Sequence, residues 1–325
     1  MKVAIAGSGE TGRLHAAAFA AIPGVKVIGV CDSNYALAEE LAHQAGTRAF
    51  DSFEALMDTV KPDAVSLTIS SHLHKEYVLK AAGSGVHVIC QKPISLSLED
   101  AYEIVDSCER HGVRLFVGHI VRFFPEYVQM KEKIDAGNIG KVGVAHLKRV
   151  GGHPDDVKPR PKEEGESGGV IVDFMIDDID FALWTLGEVK SVYAMRRHED
   201  QFDYALVTLV FINGAVANLE GYCGFAGECR TVAEFAGTKG VIRGDSAKAK
   251  SVRIRKIREA GEGARYGEIA RNPLINSSSF IALEHFMNCI RGNHEPIVSA
   301  RDACMALEIA NAARESAVTG KAILF

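Results

Sequence analysis

A lysine, Lys92, stands just after a largely apolar run over residues 86–90, and Gln91 and Pro93 flank it. We expect this run to be a buried strand, because short apolar runs are typical of parallel sheets covered on both faces. Ligands of such sheets bind beyond the carboxyl ends of the strands, so the Lys92 ammonium could polarise a substrate oxygen and carry its proton. The alternative is a solvated lysine before a proline turn.

Four aspartates lie close together in an otherwise apolar stretch near the middle of the chain. At 3.6 residues per turn, Asp173, Asp177 and Asp180 share one helical face, whereas Asp178 points elsewhere. Acids on one face of a buried helix repel one another unless a cation, a proton or hydrogen-bond donors compensate them. The stripe therefore indicates a functional site; the alternatives are acids that favour the helix dipole or partners for arginines such as Arg149. No histidine joins the stripe, so we expect no bound metal.

The chain begins with an apolar run that leads directly into Gly7-Ser8-Gly9-Glu10-Thr11-Gly12. A helix is predicted to follow, and strand, glycine turn and helix form the context in which G-x-G-x-x-G indicates a dinucleotide site. Gly7 would allow the tight turn, and Gly9 would let the backbone approach a pyrophosphate at the helix N-terminus. Gly12 would let the helix pack closely on the strand. The alternative is that the glycines serve only the turn.

A second apolar run ends in Asp32, at the distance after Gly12 where a carboxylate that accepts from ribose hydroxyls is expected. Ser33 and Asn34 follow it instead of an arginine, so nothing favours a 2′-phosphate. We therefore expect NAD as the cofactor rather than NADP. The predicted cofactor-binding residues are Gly7, Ser8, Gly9, Glu10, Thr11, Gly12, Asp32, Ser33, Ser70, His74, Gln91 and Lys92.

The order of apolar runs predicts two architectures in one α/β chain. Over residues 1–120, strands alternate with helices, which predicts a doubly wound parallel sheet of the Rossmann type. Over residues 121–325, closely spaced strands separated by turns such as Asn213-Gly214 predict an α+β domain with a mostly antiparallel open sheet, whose last helix packs back on the first domain. We also predict a strand at 252–257 and a surface loop or lid at 154–165.

The composition excludes several classes of protein. At 325 residues the chain exceeds the size of a single core, and a net charge of −5 provides no basic field for nucleic acid or a membrane surface. No apolar run approaches the roughly 18 residues of a membrane-spanning helix, and a chain that begins with a strand leaves no room for a signal peptide. Seven cysteines without a C-x-x-C pair are typical of a reducing compartment. We therefore expect a cytoplasmic protein.

These motifs, taken in order, resemble those of the Gfo/Idh/MocA oxidoreductases, which include glucose–fructose oxidoreductase and inositol dehydrogenases. The resemblance covers essentially the whole chain. It depends on Gly7–Gly12, Asp63-Ala64-Val65 with His74 downstream, Gln91-Lys92-Pro93, Arg122-Phe123-Phe124-Pro125, Gly168-Gly169 before Asp173 to Asp180, and Pro296 with Ser299 and Asp302. It implies hydride transfer between NAD(P) and a hydroxyl group of a sugar, an inositol or a related polyol. It also implies subunit contacts through the open sheet, and hence a homodimer or homotetramer.

The resemblance assigns roles to four residues. Lys92 matches the catalytic lysine of the family's E-K-P motif. Asp173 matches the substrate-binding aspartate of D-x-x-x-H-x-x-D, and Asp180 matches the last acid of that motif. Arg122 stands where a basic residue often lines the substrate pocket.

The chain departs from the family pattern at two positions. Gln91 replaces the usual glutamate, a mild change because an amide still forms hydrogen bonds. Asp177 replaces the usual catalytic histidine, and an aspartate with an ordinary pKa of about 3.9 is a much weaker base than a histidine at about 6.5. Burial beside Asp173 and Asp180 would raise its pKa, whereas Lys92 would lower it.

Three functions therefore stay open. The leading hypothesis is an NAD-dependent dehydrogenase in which Lys92, Asp177 and Asp173 are catalytic. The others are a binding protein for NAD or a sugar nucleotide whose catalytic site has drifted, and an NAD-dependent, redox-assisted glycosidase. Histidines near the motifs, His74 and His119, are expected to be structural, whereas His153 could reach substrate from its loop. The predicted substrate-binding residues are Lys92, Arg122, His153, Asp173 and Asp177.

Overall fold

The first sheet has the strand order of a dinucleotide-binding fold. The computed structural model describes residues 1–151, 168–199, 202–224, 229–247 and 277–325. The six strands of this sheet are β1 (Lys2–Ala6), β2 (Lys26–Cys31), β3 (Ala49–Phe50), β4 (Ala64–Leu67), β5 (His87–Cys90) and β6 (Leu115–Val117). They are parallel, in the order β3-β2-β1-β4-β5-β6. The order reverses beside β1, which is where such sheets bind their ligands. The predicted doubly wound parallel sheet is confirmed.

Helices cover both faces of this sheet. They are α1 (Glu10–Ala21), α2 (Tyr35–Ala45), α3 (Phe53–Val60), α4 (His74–Gly83) and α5 (Leu98–Arg110). Local sequence fixes several of their ends: the Ser52 and Ser97 side chains accept from backbone N–H groups at the starts of α3 and α5, and Gly46 ends α2 with a φ of 62°. Strands β1 and β4 are fully buried from Val3 and from Ala64 onward, as their continuous apolar sequences predict.

A second, seven-stranded sheet follows. Its strands are β7 (Val142–Val150), β8 (Val189–Glu199), β9 (Phe202–Phe211), β10 (Val216–Cys223), β11 (Arg230–Gly237), β12 (Gly240–Asp245) and β13 (Ile323–Leu324). The order is β12-β11-β7-β10-β9-β8-β13, and only the β7–β10 pair is parallel. The mostly antiparallel sheet is therefore confirmed, including the hairpin turn at Asn213-Gly214. Strand β12 was not predicted, because its glycines and charges obscure any alternation. The predicted strand at 252–257, the loop at 154–165 and His153 lie outside the described residues.

Four helices accompany the second sheet: α6 (Pro125–Asp135), α7 (Ile176–Leu186), α8 (Ser278–Gly292) and α9 (Ala300–Thr319). We call the first sheet with helices α1–α5 the first unit, and the second sheet with helices α6–α9 the second unit. Helix α9 packs on α7 and β8 and also contacts α5 and β6 of the first unit. Helix α8 packs on α1, where Phe286 stacks on Phe116 with ring centroids 5.0 Å apart. Both C-terminal helices thus reach the first sheet, and the boundary at residue 120 stays a prediction.

The acidic stretch is not one continuous α-helix. Residues Val170–Phe174 form a π-helical turn, and α7 begins only at Ile176. Asp173 belongs to this turn, so α-helical spacing does not relate it to Asp177 and Asp180 as the sequence predicted. Across this break, the Asp173 backbone carbonyl and the Asp177 carboxylate both reach Lys92.

Within the described residues, one face of the second sheet is exposed along β8. On β8, alternate side chains are exposed, among them Tyr193 at 41% and Met195 at 53% of their surface. The homodimer or homotetramer that the resemblance implies stays a prediction. Among the described helices, none combines the length and the apolar character needed to span a membrane.

An arginine and an aspartate form a buried ion pair between the two sheets. The Arg122 guanidinium donates two hydrogen bonds to the Asp180 carboxylate, at 2.8 and 2.6 Å, and these side chains are 3% and 0% exposed. Arg122 also donates to the Ile297 carbonyl at 3.1 Å and lies 3.4 Å from Asp302. The pair therefore connects the chain after β6, helix α7 and the start of α9.

We predict that Asp180→Ala lowers the free energy of unfolding by about 3–5 kcal/mol, because the Arg122 charge stays buried without its partner. Urea denaturation measures the change. As a control, Lys148→Ala removes one side of the exposed Lys148–Glu220 pair and should cost at most about 1 kcal/mol. Equal losses in the two variants would contradict a stabilising role for the buried pair.

Candidate active site

Polar groups collect where the strands of the first sheet end at its carboxyl edge. Five of its six strands lead into one of them: β1 into the glycine turn, β2 into Asp32, β4 into Thr68, β5 into Gln91 and Lys92, and β6 into His119. Helix α7 of the second unit packs over this edge, since its Asp177 carboxylate contacts both Lys92 and His119. The edge therefore forms a cleft between the two units.

The glycine turn has room for a ligand at only one of its glycines. Gly7 has a φ of 100°, and a Cβ there would lie 2.4 Å from the Thr68 carbonyl oxygen. A Cβ at Gly12 would lie 2.1 Å from the Gly7 carbonyl oxygen, so both positions require glycine. At Gly9, no described atom lies within 4 Å of such a Cβ. The backbone is thus open at Gly9, where a pyrophosphate would approach.

The start of α1 is arranged to receive an anion. Gly9 is the N-cap of α1, and as a glycine it has no side chain that could accept from the N–H groups of the first turn. That turn begins with Glu10 and Thr11. The helix N-terminus therefore directs free N–H groups and the positive end of its dipole toward the cleft. The Ser8 hydroxyl is buried and has no hydrogen-bond partner among the described residues. These features fit the phosphates of a dinucleotide.

Asp32 holds the loop and still borders the cleft. One carboxylate oxygen accepts from the Ser8 backbone N–H at 2.6 Å, and the other accepts from the Asn34 N–H at 2.8 Å. The exposed Ser33 hydroxyl lies 3.5 Å from the second oxygen. Asp32 is only partly buried, so its remaining acceptor sites fit ribose hydroxyls, and its charge disfavours a 2′-phosphate.

The two predicted cofactor residues after β4 lie in different environments. Ser70 is exposed at the start of a short 3₁₀ turn. His74 is fully buried, with its ring nitrogens 2.9 Å from the Pro93 carbonyl oxygen and 3.2 Å from that of Ile69. Burial lowers the pKa of His74. This histidine therefore contacts the turn that carries Lys92, whose peptide bond to Pro93 is cis.

Gln91 connects the lysine turn to α1 through a buried histidine. Its side-chain amide nitrogen lies 2.9 Å from His15 Nε2, and His15 Nδ1 lies 2.7 Å from the Ser66 hydroxyl. Because the amide N–H donates, His15 Nε2 accepts, and the proton of the neutral ring lies on Nδ1. Burial lowers the pKa of His15 to about 4, so the ring is neutral at physiological pH. Sequence analysis did not find this network, because its members are far apart in the chain.

The Lys92 ammonium lies at the centre of the cleft. It donates to the Asp173 backbone carbonyl at 2.7 Å and lies 3.4 Å from Asp177 Oδ2. The Lys92 side chain is 23% exposed, whereas that of Asp177 is 8% exposed. Burial acts to raise the pKa of Asp177, but Lys92, His119 and Arg149 outweigh it and hold that pKa well below its usual range. Asp177 is therefore ionised at neutral pH.

The other acids of α7 have arginine partners. Arg149 donates two hydrogen bonds to the Asp178 carboxylate, at 2.6 and 3.1 Å. An arginine partner of this kind was the alternative interpretation of the acidic stretch in the sequence. Asp180 binds the buried Arg122. Of the three acids predicted to share a face, only Asp173, through its backbone, and Asp177 meet Lys92.

His119, expected to be structural, lies against Asp177, which pairs with Lys92. Its ring is fully buried, and Nδ1 lies 3.7 Å from Asp177 Oδ1. The available signal was positional: Gly118-His119 follows β6 as Gln91-Lys92 follows β5. Across the described ranges, no group of three or more His, Cys, Asp or Glu side chains is arranged to hold a metal ion.

Strand order and the open glycine turn define the class of this protein: a dinucleotide-binding α/β protein with a lysine at its cleft. Comparison with protein families gives the assignment. Residues 1–119 match the model of the oxidoreductase family with an NAD-binding Rossmann fold, Gfo/Idh/MocA, and residues 131–324 match its C-terminal alpha/beta domain. The chain belongs to the Gfo/Idh/MocA oxidoreductase family, as its motifs predicted, and its first unit is the NAD-binding Rossmann fold of that family.

Similar proteins span the whole chain. A scyllo-inositol 2-dehydrogenase (NAD(+)) of Bacillus subtilis strain 168 is 30% identical and covers 97% of this chain and 94% of its own. A myo-inositol 2-dehydrogenase of Thermotoga maritima is 28% identical and covers 97% and 96%, respectively. Among solved structures, a probable dehydrogenase from Thermotoga maritima superposes with a TM-score of 0.85 at 26% identity, covering 100% of this chain and 98% of that one.

We predict that Gln91→Glu raises the pKa of His15 above its value of about 4, because a carboxylate facing Nε2 stabilises the imidazolium. The depressed pKa of wild-type His15 makes the unfolded chain bind more protons between about pH 4 and 6.5, so stability is lost as the pH falls through that window. The variant should lose less stability there. Titration of His15 by NMR and urea denaturation at both ends of the window measure the two effects.

The matched control is Gln44→Glu, which makes the same chemical change on α2, where Gln44 contacts Glu40. It should leave the His15 titration unchanged. An unaltered His15 titration in Gln91→Glu would mean that these side chains do not meet in solution.

Proposed function

We propose that this chain is an NAD-dependent dehydrogenase that oxidises a ring hydroxyl group of an inositol, a sugar or a related polyol. The observation that carries the proposal is the position of Lys92: its ammonium lies at the same carboxyl edge of the sheet as the open glycine turn, 3.4 Å from a buried carboxylate. The two inositol dehydrogenases that are similar over nearly the whole chain support this class of substrate.

The proposed chemistry divides between the cofactor and the protein. The glycine turn, the start of α1 and Asp32 would hold NAD, which would supply the acceptor for the hydride of the carbinol carbon. Lys92 contacts the reacting hydroxyl oxygen and stabilises negative charge that develops on it. The hydrogen bond from Lys92 to the Asp173 carbonyl fixes the direction of the ammonium, which favours a single orientation of the substrate oxygen.

Asp177 has a role different from that of a histidine at its position. With its pKa held low by Lys92 and His119 against the effect of burial, Asp177 alone is a weak acceptor for the substrate proton. It compensates the charge of Lys92 and keeps the ammonium in the cleft. At neutral pH the Asp177 carboxylate therefore does not retain the substrate proton, which must pass on to another group.

We further propose that Arg122 and His74 position the site instead of binding ligands. The Arg122 guanidinium is 3% exposed and is bound by Asp180, Asp302 and the Ile297 carbonyl. His74 supports the Lys92-Pro93 turn, because its Nδ1 lies 2.9 Å from the Pro93 carbonyl oxygen. The contact of His153 with substrate stays a prediction, since this residue lies outside the described ranges.

The test is a screen for NADH formation with purified protein, NAD or NADP, and a panel of inositols, sugars and glycosides. We expect NADH with at least one cyclic polyol and a preference for NAD. Binding of NAD by calorimetry without NADH from any compound would favour the drifted binding protein. Cleavage of a glycoside without net NADH would favour the redox-assisted glycosidase.

We predict that Lys92→Ala lowers kcat by roughly 10²- to 10⁴-fold while NAD affinity changes little, because the ammonium acts on the reacting oxygen. Steady-state kinetics and calorimetry separate the two effects. Lys75→Ala removes a lysine that pairs with Asp100 and Glu103 on α5, and it should leave kcat unchanged. Full activity of Lys92→Ala would refute the role assigned to this lysine.

A further inference from the structure

Two buried polar atoms that have no hydrogen-bond partner among the described residues face each other behind Lys92. They are Nδ1 of His119 and Oδ1 of Asp177, which lie 3.7 Å apart. Within the described part of the chain, neither His119 ring nitrogen nor Asp177 Oδ1 has a hydrogen-bond partner. Buried polar groups almost always have such a partner, and each exception requires an explanation. A shared proton, drawn in by a slight closure of the pair, satisfies both atoms at once.

Among the described residues, two ionisable side chains contact the Asp177 carboxylate directly. Lys92, after β5, faces Oδ2 at 3.4 Å, and His119, after β6, faces Oδ1. Arg149 on β7 also influences Asp177, but its guanidinium is bound at both ends by Asp178 on α7. From the π-helical turn, Asp173 contributes its backbone carbonyl to Lys92. The Asp177 carboxylate therefore bridges an ammonium in the cleft and an imidazole behind it.

The chain lacks a histidine at 177 but has one directly behind that position. A histidine at 177 would place a base with an ordinary pKa of about 6.5 beside the lysine. Here a carboxylate stands beside the lysine, and an imidazole stands one contact further from the cleft. Aspartate and imidazole together supply the charge and the proton-binding site that one histidine would supply alone.

We propose that His119 is a positioning residue of the reaction, whose imidazole shares a proton with the Asp177 carboxylate so that the two act as one proton acceptor. This inference rests on the proposed function. In the oxidation, the substrate O–H bond breaks and its electron pair forms the carbonyl as the hydride leaves for NAD. The Lys92 ammonium passes one of its protons to the Asp177 carboxylate, from which it comes to rest on His119 Nδ1, and Lys92 takes up the substrate hydroxyl proton in its place. Reduction of the carbonyl returns it along the same path.

The test compares His119→Asn, His119→Phe, Asp177→Asn and the double variant His119→Asn/Asp177→Asn. Asparagine keeps an amide near the position of Nδ1 but binds no proton, and phenylalanine keeps the ring without its nitrogens. We expect each His119 variant to lower kcat roughly 10²-fold, with KM and NAD affinity within about twofold of wild type. Wild-type kcat should rise with pH through the range in which imidazoles titrate, and this rise should vanish in both His119 variants.

The double variant separates a shared proton from two independent effects. If the residues act as one pair, His119→Asn/Asp177→Asn should be no slower than the slower single variant, because coupled residues are not additive. Multiplied losses, or an unchanged pH profile in a folded His119→Asn, would overturn the inference. The control is His111→Asn, at the end of α5, where the ring contacts the Ser107 carbonyl; its kcat and pH profile should match wild type.

A measurement without turnover distinguishes failure of this inference from failure of the proposed function. In the NAD-free protein, Asp177→Asn should change the imidazole nitrogen chemical shifts of His119, whereas Asp178→Asn should leave them nearly unchanged. If no polyol yields NADH yet these shifts respond, the proposed function fails and the pair stands. If the shifts do not respond, the pair does not exist, whatever the activity.

Discussion

The structure depends on three ion pairs, in which each of three buried aspartates on the short helix α7 has its own cationic partner. Burying a carboxylate is costly unless a well-placed partner compensates its charge, and α7 carries Asp177, Asp178 and Asp180 with at most 5% of their surface exposed. Lys92 comes from the first sheet, Arg149 from the second, and the third cation from the chain that connects them. Compensating these charges requires both sheets to be in place, so the same ion pairs that stabilise α7 also define the cleft.

The three pairs differ in how completely they are satisfied, and this difference separates structure from function. The two arginine pairs are bidentate, with hydrogen bonds of 2.6 to 3.1 Å, and their charges are fully occupied. The Lys92–Asp177 contact is longer, at 3.4 Å, and the lysine side chain stays partly exposed. A partly exposed ammonium held loosely beside a carboxylate can bind the oxygen of a ligand, whereas the buried Arg122 already binds the Ile297 carbonyl and Asp302 in addition to Asp180. The loose pair is therefore where we place the chemistry.

Apart from Asp32, the cofactor side of the cleft is built mainly from backbone geometry and neutral groups. Gly7 and Gly12 allow close contact with Thr68 and with each other, and the neutral His15 links α1 to Gln91 without adding charge. A glutamate at 91 would place a carboxylate against that buried ring. The glutamine at 91, where the family usually has a glutamate, is thus consistent with the neutral His15. Neither side chain adds charge beside α1, so the positive end of the helix dipole can act on the phosphates.

The sequence by itself determined the local features: the parallel sheet, the glycine turn, the capped helices, the antiparallel second sheet and the place of Lys92 after β5. These follow from apolar periodicity, glycine geometry and capping side chains, which act over a few residues. Only the tertiary structure decided which aspartate faces the lysine, that Arg122 is locked in a buried ion pair, and that His119 lies against Asp177. Periodicity gives the face of a helix but not the partner that meets it, and here the π-helical turn before α7 also altered the face. Because those partners lie 58 to 85 residues away in the chain, their pairing depends on how the two sheets pack and not on local sequence.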